Sequence, residues 1–365
     1  MKNIAVFFGG VSVEHDVSVI TGVMTLNTLD KNKYEGVPIF IDVDGKWWTG
    51  EKLFDVENYK TLSVKKLKRV ALFGGDNVLY EIKGKRVKPV CTLFAGINCL
   101  HGERGEDGSL AGLLKMCGVP LASPDMFPSA MSIDKAMTKK VLSGLNVKTL
   151  PFVLINGVTD YEKVKKKLGY PVMVKPLRLG SSIGINKAEN PEELVNAVSQ
   201  AKRYGEGVIV EPLLSGFTEI NCAAYINPKG ETVVSECERP IGKEEVLTFN
   251  DKYASGNREF PANIDKKISD KIKRLTASIY DKMGFTGIIR IDYFVKDGEV
   301  LLNEINSVPG SLAYYLFTDT LKGFSEILNE IIAVAEKDFL KDVSVKTVYN
   351  SSLLNLTGIK SAKRL

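Results

Sequence analysis

Near its C-terminal end the chain reads Arg290-Ile291-Asp292-Tyr293-Phe294-Val295-Lys296-Asp297-Gly298, then Val300-Leu301-Leu302-Asn303-Glu304-Ile305-Asn306. Side chains alternate with a period of two along a strand, so Arg290 and Asp292 share one face and Glu304 and Asn306 share another. The two faces coincide only if an odd number of residues is spent in the return. A three-residue loop, Lys296-Asp297-Gly298, with Gly in the left-handed third position, is the expected solution. One face of the hairpin would then carry two carboxylates, an amide oxygen and a guanidinium, and the other Ile291, Tyr293, Val295, Leu301 and Ile305. Hard oxygen donors at this density suit Mg²⁺ or Mn²⁺, which bind through few carboxylates and take the rest of their ligands from nucleotide phosphates. The plainer alternative is the solvated outer face of an amphipathic hairpin.

Three further stretches have chemical potential. Lys175 is followed by Pro176-Leu177-Arg178-Leu179-Gly180-Ser181-Ser182-Ile183-Gly184. Backbone N–H groups in such a Gly/Ser loop can cradle phosphate oxygens with the lysine as counter-charge, although a simple turn has the same composition. It is neither a Walker A loop nor the G-x-G-x-x-G of a dinucleotide fold. Phe8-Gly9-Gly10-Val11-Ser12-Val13-Glu14 looks like a strand end opening a helix. Ligands of open α/β sheets lie there, so Glu14 could meet a substrate amine or could only complement a helix dipole. His101-Gly102-Glu103-Arg104-Gly105-Glu106-Asp107-Gly108 is a similar strand end.

The elements that must hold these residues read as mixed α/β. Residues 1–124 alternate strands (Ile4–Phe8, Val37–Ile41, a hairpin over Val78–Val90, Cys91–Leu100) with helices (Val19–Leu29, Leu110–Met116). Residues 125–214 offer a helix over Ala130–Leu142, strands at Phe152–Ile155, Val172–Lys175, Ile183–Ala188 and Val208–Glu211, and helices over Tyr161–Leu168 and Pro191–Lys202. Residues 215–340 add strands at Glu219–Ile226 and Thr232–Glu238, a loop at 242–262, a helix over Lys266–Met283, the hairpin, and a closing helix over Phe324–Phe339. The tail from 341 to 365 is not assigned.

Composition excludes several other classes. The 365 residues are 44% hydrophobic and 25% charged, ordinary for a folded chain long enough for two or three domains. A net charge of +5 is too slight for a nucleic-acid coat protein but favours small anionic substrates. No apolar run approaches a membrane span and no signal peptide is evident, so a cytoplasmic protein is expected. Five cysteines without a C-x-x-C spacing argue against a disulfide framework or a zinc knuckle, and the two histidines lack partners at metal-ligand spacing.

Taken together and in order, these segments resemble the D-alanine–D-alanine ligase family of the ATP-grasp superfamily over about residues 1 to 335. The match lies in Gly9-Gly10 through Glu14 with Val17-Ser18, His101-Gly102 with Gly105-Glu106-Asp107-Gly108, and Ser132-Ile133-Asp134-Lys135. It continues through Gly169 to Pro176, Gly180-Ser181-Ser182-Ile183-Gly184, Lys252-Tyr253, Arg290-Ile291-Asp292, Asn303-Glu304-Ile305-Asn306 and Pro309-Gly310. The resemblance implies a three-part ATP-grasp architecture, with an N-terminal open sheet followed by two α+β subdomains gripping ATP. It also implies an ATP-dependent ligase that joins two D-alanines for peptidoglycan precursors, with small D-amino acids as substrates and a homodimer as the assembly.

By position, the resemblance gives Lys135 and Lys175 to the ATP phosphates, Glu211, Leu213 and Leu214 to adenine, Glu219 to the ribose, and Ser182 to the phosphate loop. Glu14, Ser181 and Tyr253 would form a hydrogen-bonded triad anchoring the first substrate. Lys252 and Tyr253 would belong to a closing loop. Asp292, Glu304 and Asn306 would hold two Mg²⁺ ions, with Arg290 and the Gly310 N–H receiving developing negative charge. His101, Ser311 and Tyr315 would line the substrate sites. The run Ser311-Leu312-Ala313-Tyr314-Tyr315 departs from the Thr- and Ser-containing segment usual there, leaving open an amide ligase with another acceptor or a silent nucleotide binder.

Overall fold

A computed structural model describes residues 1–157, 159–242, 257–349 and 351. Three larger sheets and a two-stranded ribbon, Arg239–Pro240 with Arg258–Glu259, build its described residues. The first has seven strands in the spatial order Arg86–Thr92, Val78–Lys83, Lys68–Leu72, Trp47–Thr49, Tyr34–Ile41, Lys2–Gly9 and Ala95–Asn98. Lys2–Gly9 is parallel to both its neighbours, one following and one much later in the chain. The connections diverge at its carboxyl end, which opens a crevice there. Its run Ile4 to Phe8 is fully buried, as a strand covered on both faces requires.

The second sheet orders Asn186–Ala188, Val172–Pro176, Val208–Pro212 and Val153–Ile155, all antiparallel. The third orders Thr232–Val234, Thr218–Ile226, Ile289–Lys296 and Glu299–Asn306, again antiparallel. The amphipathic helix Lys266–Met283 buries Ile272, Ile279, Tyr280 and Met283 against it. The last helix, Leu321–Ser344, is longer than the expected Phe324–Phe339. Its Phe324, Leu328, Ile331 and Ile332 share one core with Ile4, Val6 and Phe8 of the first sheet, about 320 positions earlier in a 365-residue chain.

Several expected elements are corrected. The helix predicted over Ala130–Leu142 is two, Met126–Ile133 and Lys135–Gly144. Asp134 breaks it by leaving helical geometry and accepting from the Met137 N–H at 2.9 Å, an N-cap contribution of about 0.5–2 kcal/mol. The strand predicted over Cys91–Leu100 is also two, because the chain crosses at Leu93 and Phe94 from the outer antiparallel edge to the other side of Lys2–Gly9. Ile183–Ala188 shrinks to Asn186–Ala188, since Ser181, Ser182 and Gly184 have φ of 56°, 59° and 73° and keep the loop out of the sheet. Thr232–Glu238 pairs as a strand only to Val234. Four of the five thiols are buried, and all are free.

The hairpin correction is the most instructive. Lys296 pairs with Glu299, so the turn has two residues, Asp297 and Gly298, both with positive φ (50° and 77°), the left-handed twist that two-residue hairpins favour. The odd residue is Asn303, at a bulge where Asp292 pairs with Glu304 but Tyr293 pairs with Leu302. The parity requirement is therefore met, but in the strand and not in the loop. Val300, Leu302 and Ile305 consequently face the core with Ile291 and Tyr293, while Leu301 lies opposite Phe294 on the other face.

Candidate active site

The second and third sheets enclose a cleft of about 690 Å³. Lys135, Lys175, Ser182, Glu211, Leu213, Leu214, Glu219 and Glu304 all line it, so eight residues predicted from five separate segments meet in one place. Its apolar part includes Met173, Phe217 and Phe294, whose two rings stand 4.4 Å apart by centroid. The two rings pack on each other and form one apolar wall against which a flat heterocycle can lie, and the polar end holds the charges.

Lys175 and Lys139 both bind Glu211, at 2.7 and 2.6 Å, with all three side chains at least nine-tenths buried. Burial alone would raise the Glu211 carboxyl pKa, but the two ammonium groups prevail and hold it at about 2. Lys139 was not among the predicted residues. Its spacing of four from Lys135 on the same helix was the available signal, because such residues lie on one helical face. Lys135 donates to the Leu179 carbonyl at 2.6 Å and stands 3.9 Å from Glu304. Burial depresses its ammonium pKa, with Glu304 acting the other way.

On the hairpin face Arg290 grips Asp292 with two bonds, 2.7 and 2.9 Å, and Asn306 donates to Asp292 at 3.1 Å. Asp292 is fully buried and lies opposite Glu304. The donor chemistry fits a hard divalent cation: two carboxylates and an amide on one rigid face, beside two lysines that attract phosphate. Among the described residues no group of three His, Cys, Asp or Glu could hold a metal unaided. A cation here would therefore complete its ligands from a nucleotide, the usual habit of Mg²⁺.

Glu14 is buried at the end of the first sheet and accepts from the Ser181 hydroxyl, tying that crevice to the Gly/Ser loop. Lys252 and Tyr253 lie outside the described residues. His101 is buried, its Nε2 is 3.3 Å from the Thr21 hydroxyl, and desolvation pushes its pKa down to about 4. Glu106, quoted in its motif but not predicted as a site residue, accepts from the N–H groups of Gly102 (2.9 Å) and Val308 (3.2 Å). Burial and the neighbouring Glu14 push its carboxyl up to about 8.

Gly310 opens a short turn in which Ser311, Leu312 and Ala313 all have φ near +50°. Left-handed backbone costs an ordinary L-residue roughly 1–2 kcal/mol, so three in succession need firm anchoring. Tyr315 lies against Arg290 through its side chain, and the Arg258 guanidinium covers its ring at 4.6 Å.

Two family models match, described as the D-ala D-ala ligase N-terminus over residues 3–124 and the D-ala D-ala ligase C-terminus over 143–333. The chain belongs to the D-alanine–D-alanine ligase family. The D-alanine–D-alanine ligase of Thermosipho africanus is 36% identical across the whole of both chains, and that of Thermosipho melanesiensis is 33% identical over 95% of this chain and 97% of its own. Among solved structures, the D-alanine–D-alanine ligase of Helicobacter pylori aligns with a TM-score of 0.75 and 30% identity over 90% of this chain and 98% of its own. The VanG D-Ala:D-Ser ligase of Enterococcus faecalis aligns at 0.78 and 29%, over 92% and 99%. The ATP-grasp architecture expected of a D-alanine–D-alanine ligase family member is thus the architecture found, with a cleft between its second and third sheets.

Proposed function

We propose that this chain is an ATP-dependent ligase that joins two D-alanines, converting ATP and the two amino acids to the dipeptide, ADP and phosphate for peptidoglycan precursors. The observation that carries this reading is the meeting of Lys135, Lys175, Glu211 and Glu304 in one cleft. In this reading Phe217, Phe294, Leu213 and Leu214 enclose the adenine, and Glu219 takes the ribose. Lys135 and Lys175 hold the phosphates, with Ser182 in the loop above them.

Asp292, Glu304 and Asn306 would hold one or two Mg²⁺ or Mn²⁺ ions, which when bound neutralise the charge on the transferring phosphoryl group. Glu14 receives the ammonium of the first D-alanine, with Ser181 fixing its carboxylate and Tyr253 completing the triad. The first carboxylate attacks the γ-phosphorus and ADP leaves, giving an acyl phosphate. The second amine then attacks the acyl carbon, and phosphate departs from the tetrahedral intermediate. Arg290 and the Gly310 N–H receive the oxyanion in that step, while Lys252 belongs to the segment that excludes water. His101, Ser311 and Tyr315 frame the amino-acid sites. The three-part division at 124/125 and 214/215, the homodimer and the cytoplasmic location belong to the same proposal.

A second reading differs only in the acceptor. Its support is the segment Ser311 to Tyr315, with Tyr315 covered by Arg258 at 4.6 Å where the family usually carries small hydroxyl residues. Phosphate release should require ATP, Mg²⁺ and D-alanine together, and should fall when D-serine, D-lactate or an L-amino acid is offered as the second substrate. Release without any amino acid would overturn the ligase reading, and a preference for a larger or L-configured acceptor would replace the first acceptor by another.

A further inference from the structure

The strained turn after Pro309 is not held by its own strand. The hydrogen bonds that fix its opening residues come from the first sheet's unit, while Ala313 and Leu316 pack on Ala223 of the third sheet. The Ser311 N–H donates to the Thr21 hydroxyl at 3.0 Å, and Thr21 is 3.3 Å from His101 Nε2. The Val308 N–H donates to Glu106, and the Ser307 hydroxyl donates to the Glu106 carbonyl at 3.3 Å. A backbone bond to Val308 favours the protonated form of the His101 ring, which makes the Val308 carbonyl the acceptor and the ring the donor. His101 then offers Nε2 as an acceptor, so the Thr21 hydroxyl accepts a hydrogen bond from the Ser311 N–H and donates one to His101.

Thr21 is 1% exposed, on the helix His15–Thr28, and 290 residues separate it from Ser311. With the Ser311 N–H committed to Thr21 and the Leu312 N–H committed to the Pro309 carbonyl at 2.8 Å, the Gly310 N–H heads the turn with no acceptor among the described residues. We infer that Thr21 is a positioning residue: its hydroxyl, polarised by His101, holds the left-handed turn so that the Gly310 N–H faces the reacting carbonyl. This inference rests on the oxyanion role proposed for Gly310. It adds the residue that aims that donor from another part of the chain.

Thr21→Val keeps the shape of the side chain and removes the hydroxyl, whereas Thr21→Ser keeps the hydroxyl. The valine variant should lose about tenfold to a hundredfold in kcat, the range for a misaimed donor, with KM for ATP unchanged. The serine variant should recover most of the loss. Amide hydrogen exchange over residues 307–316 of the full-length, substrate-free protein should quicken in the valine variant and stay as in wild type in the serine variant. Wild-type exchange in Thr21→Val, or a serine variant as impaired as the valine one, would overturn the inference. The exchange measurement needs no turnover, so it judges the clamp even if the wild-type chain releases no phosphate with D-alanine, a result that would count against the ligase reading alone.

Discussion

Glu304→Gln should leave the protein folded and lower turnover by on the order of 10²–10³. The change swaps one side-chain oxygen for an amide nitrogen on a hairpin already assembled by Ile291, Tyr293, Leu302 and Ile305 on its other face. What it removes is a negative charge opposite Asp292 and 3.9 Å from Lys135. A cation bound there would lose one of two carboxylates. Lys135, whose ammonium is already disfavoured by burial, would lose its nearest counter-charge. The measurements are phosphate release at saturating ATP and D-alanine, a thermal melt, and nucleotide binding with chelator present. Turnover like that of wild type would sink the metal assignment. A collapsed melting transition would show that the face is structural instead.

Glu211→Gln is the second large effect, and it falls on stability. Glu211 is 2% exposed between Lys139 and Lys175, so removing its charge strands two buried ammonium groups. Breaking such a buried arrangement costs about 3–5 kcal/mol, far beyond the ~1 kcal/mol of a surface pair. The denaturation midpoint should drop accordingly. Lys139→Met added to that variant should restore part of it, since one stranded charge is then gone. The sign with pH follows from linkage. The carboxyl is held at about 2 when folded against an ordinary 4.5, so the unfolded chain binds its proton first as pH falls. The stabilisation is complete above about 4.5 and is lost on the way down to about 2, a slope that Glu211→Gln should lack. An unchanged midpoint in the variant would refute the account.

Much of the site was legible because its chemistry is carried by residues at strand ends and on one strand face, where order in the sequence translates into direction in space. Parity required an odd residue in the return if Asp292 and Glu304 were to share a face. It did not say where the odd residue goes, because a bulge and a longer turn satisfy the same count, and Leu301 was misplaced as a result. Asp134 was read inside a helix since apolar spacing runs through it from Met131 to Leu142. The capping bond that breaks the helix competes locally with that periodicity. Lys139, Glu106 and Thr21 were passed over for another reason. Each acts through a partner distant in the chain, Glu211 for Lys139, Val308 for Glu106 and Ser311 for Thr21, and a burial that makes a lysine, a carboxyl or a hydroxyl consequential exists only after the sheets have come together. The thiols show the converse, since burial is the ordinary state of a free cysteine and four of the five are buried.

The shared core of helix Leu321–Ser344 and strand Lys2–Gly9 also bears on how the chain is made. The first sheet's strands leave the ribosome early and helix His15–Thr28 packs on Lys2–Gly9 soon after, yet the part of that core supplied by Phe324, Leu328, Ile331 and Ile332 is missing until the last helix emerges. The gap from Asn98 to Leu321 is more than 200 residues, roughly 10–45 s of synthesis at about 5–20 residues per second. During that interval the core is only partly closed, by helix His15–Thr28 alone, which makes the nascent chain a natural client for a holding chaperone. A stalled chain ending near residue 315 should accordingly bind an apolar-surface dye and resist protease poorly over residues 1–124, and one extended past residue 344 should not. If the shorter chain were already protected, the first sheet would be self-sufficient and the late helix only a lid on a finished core.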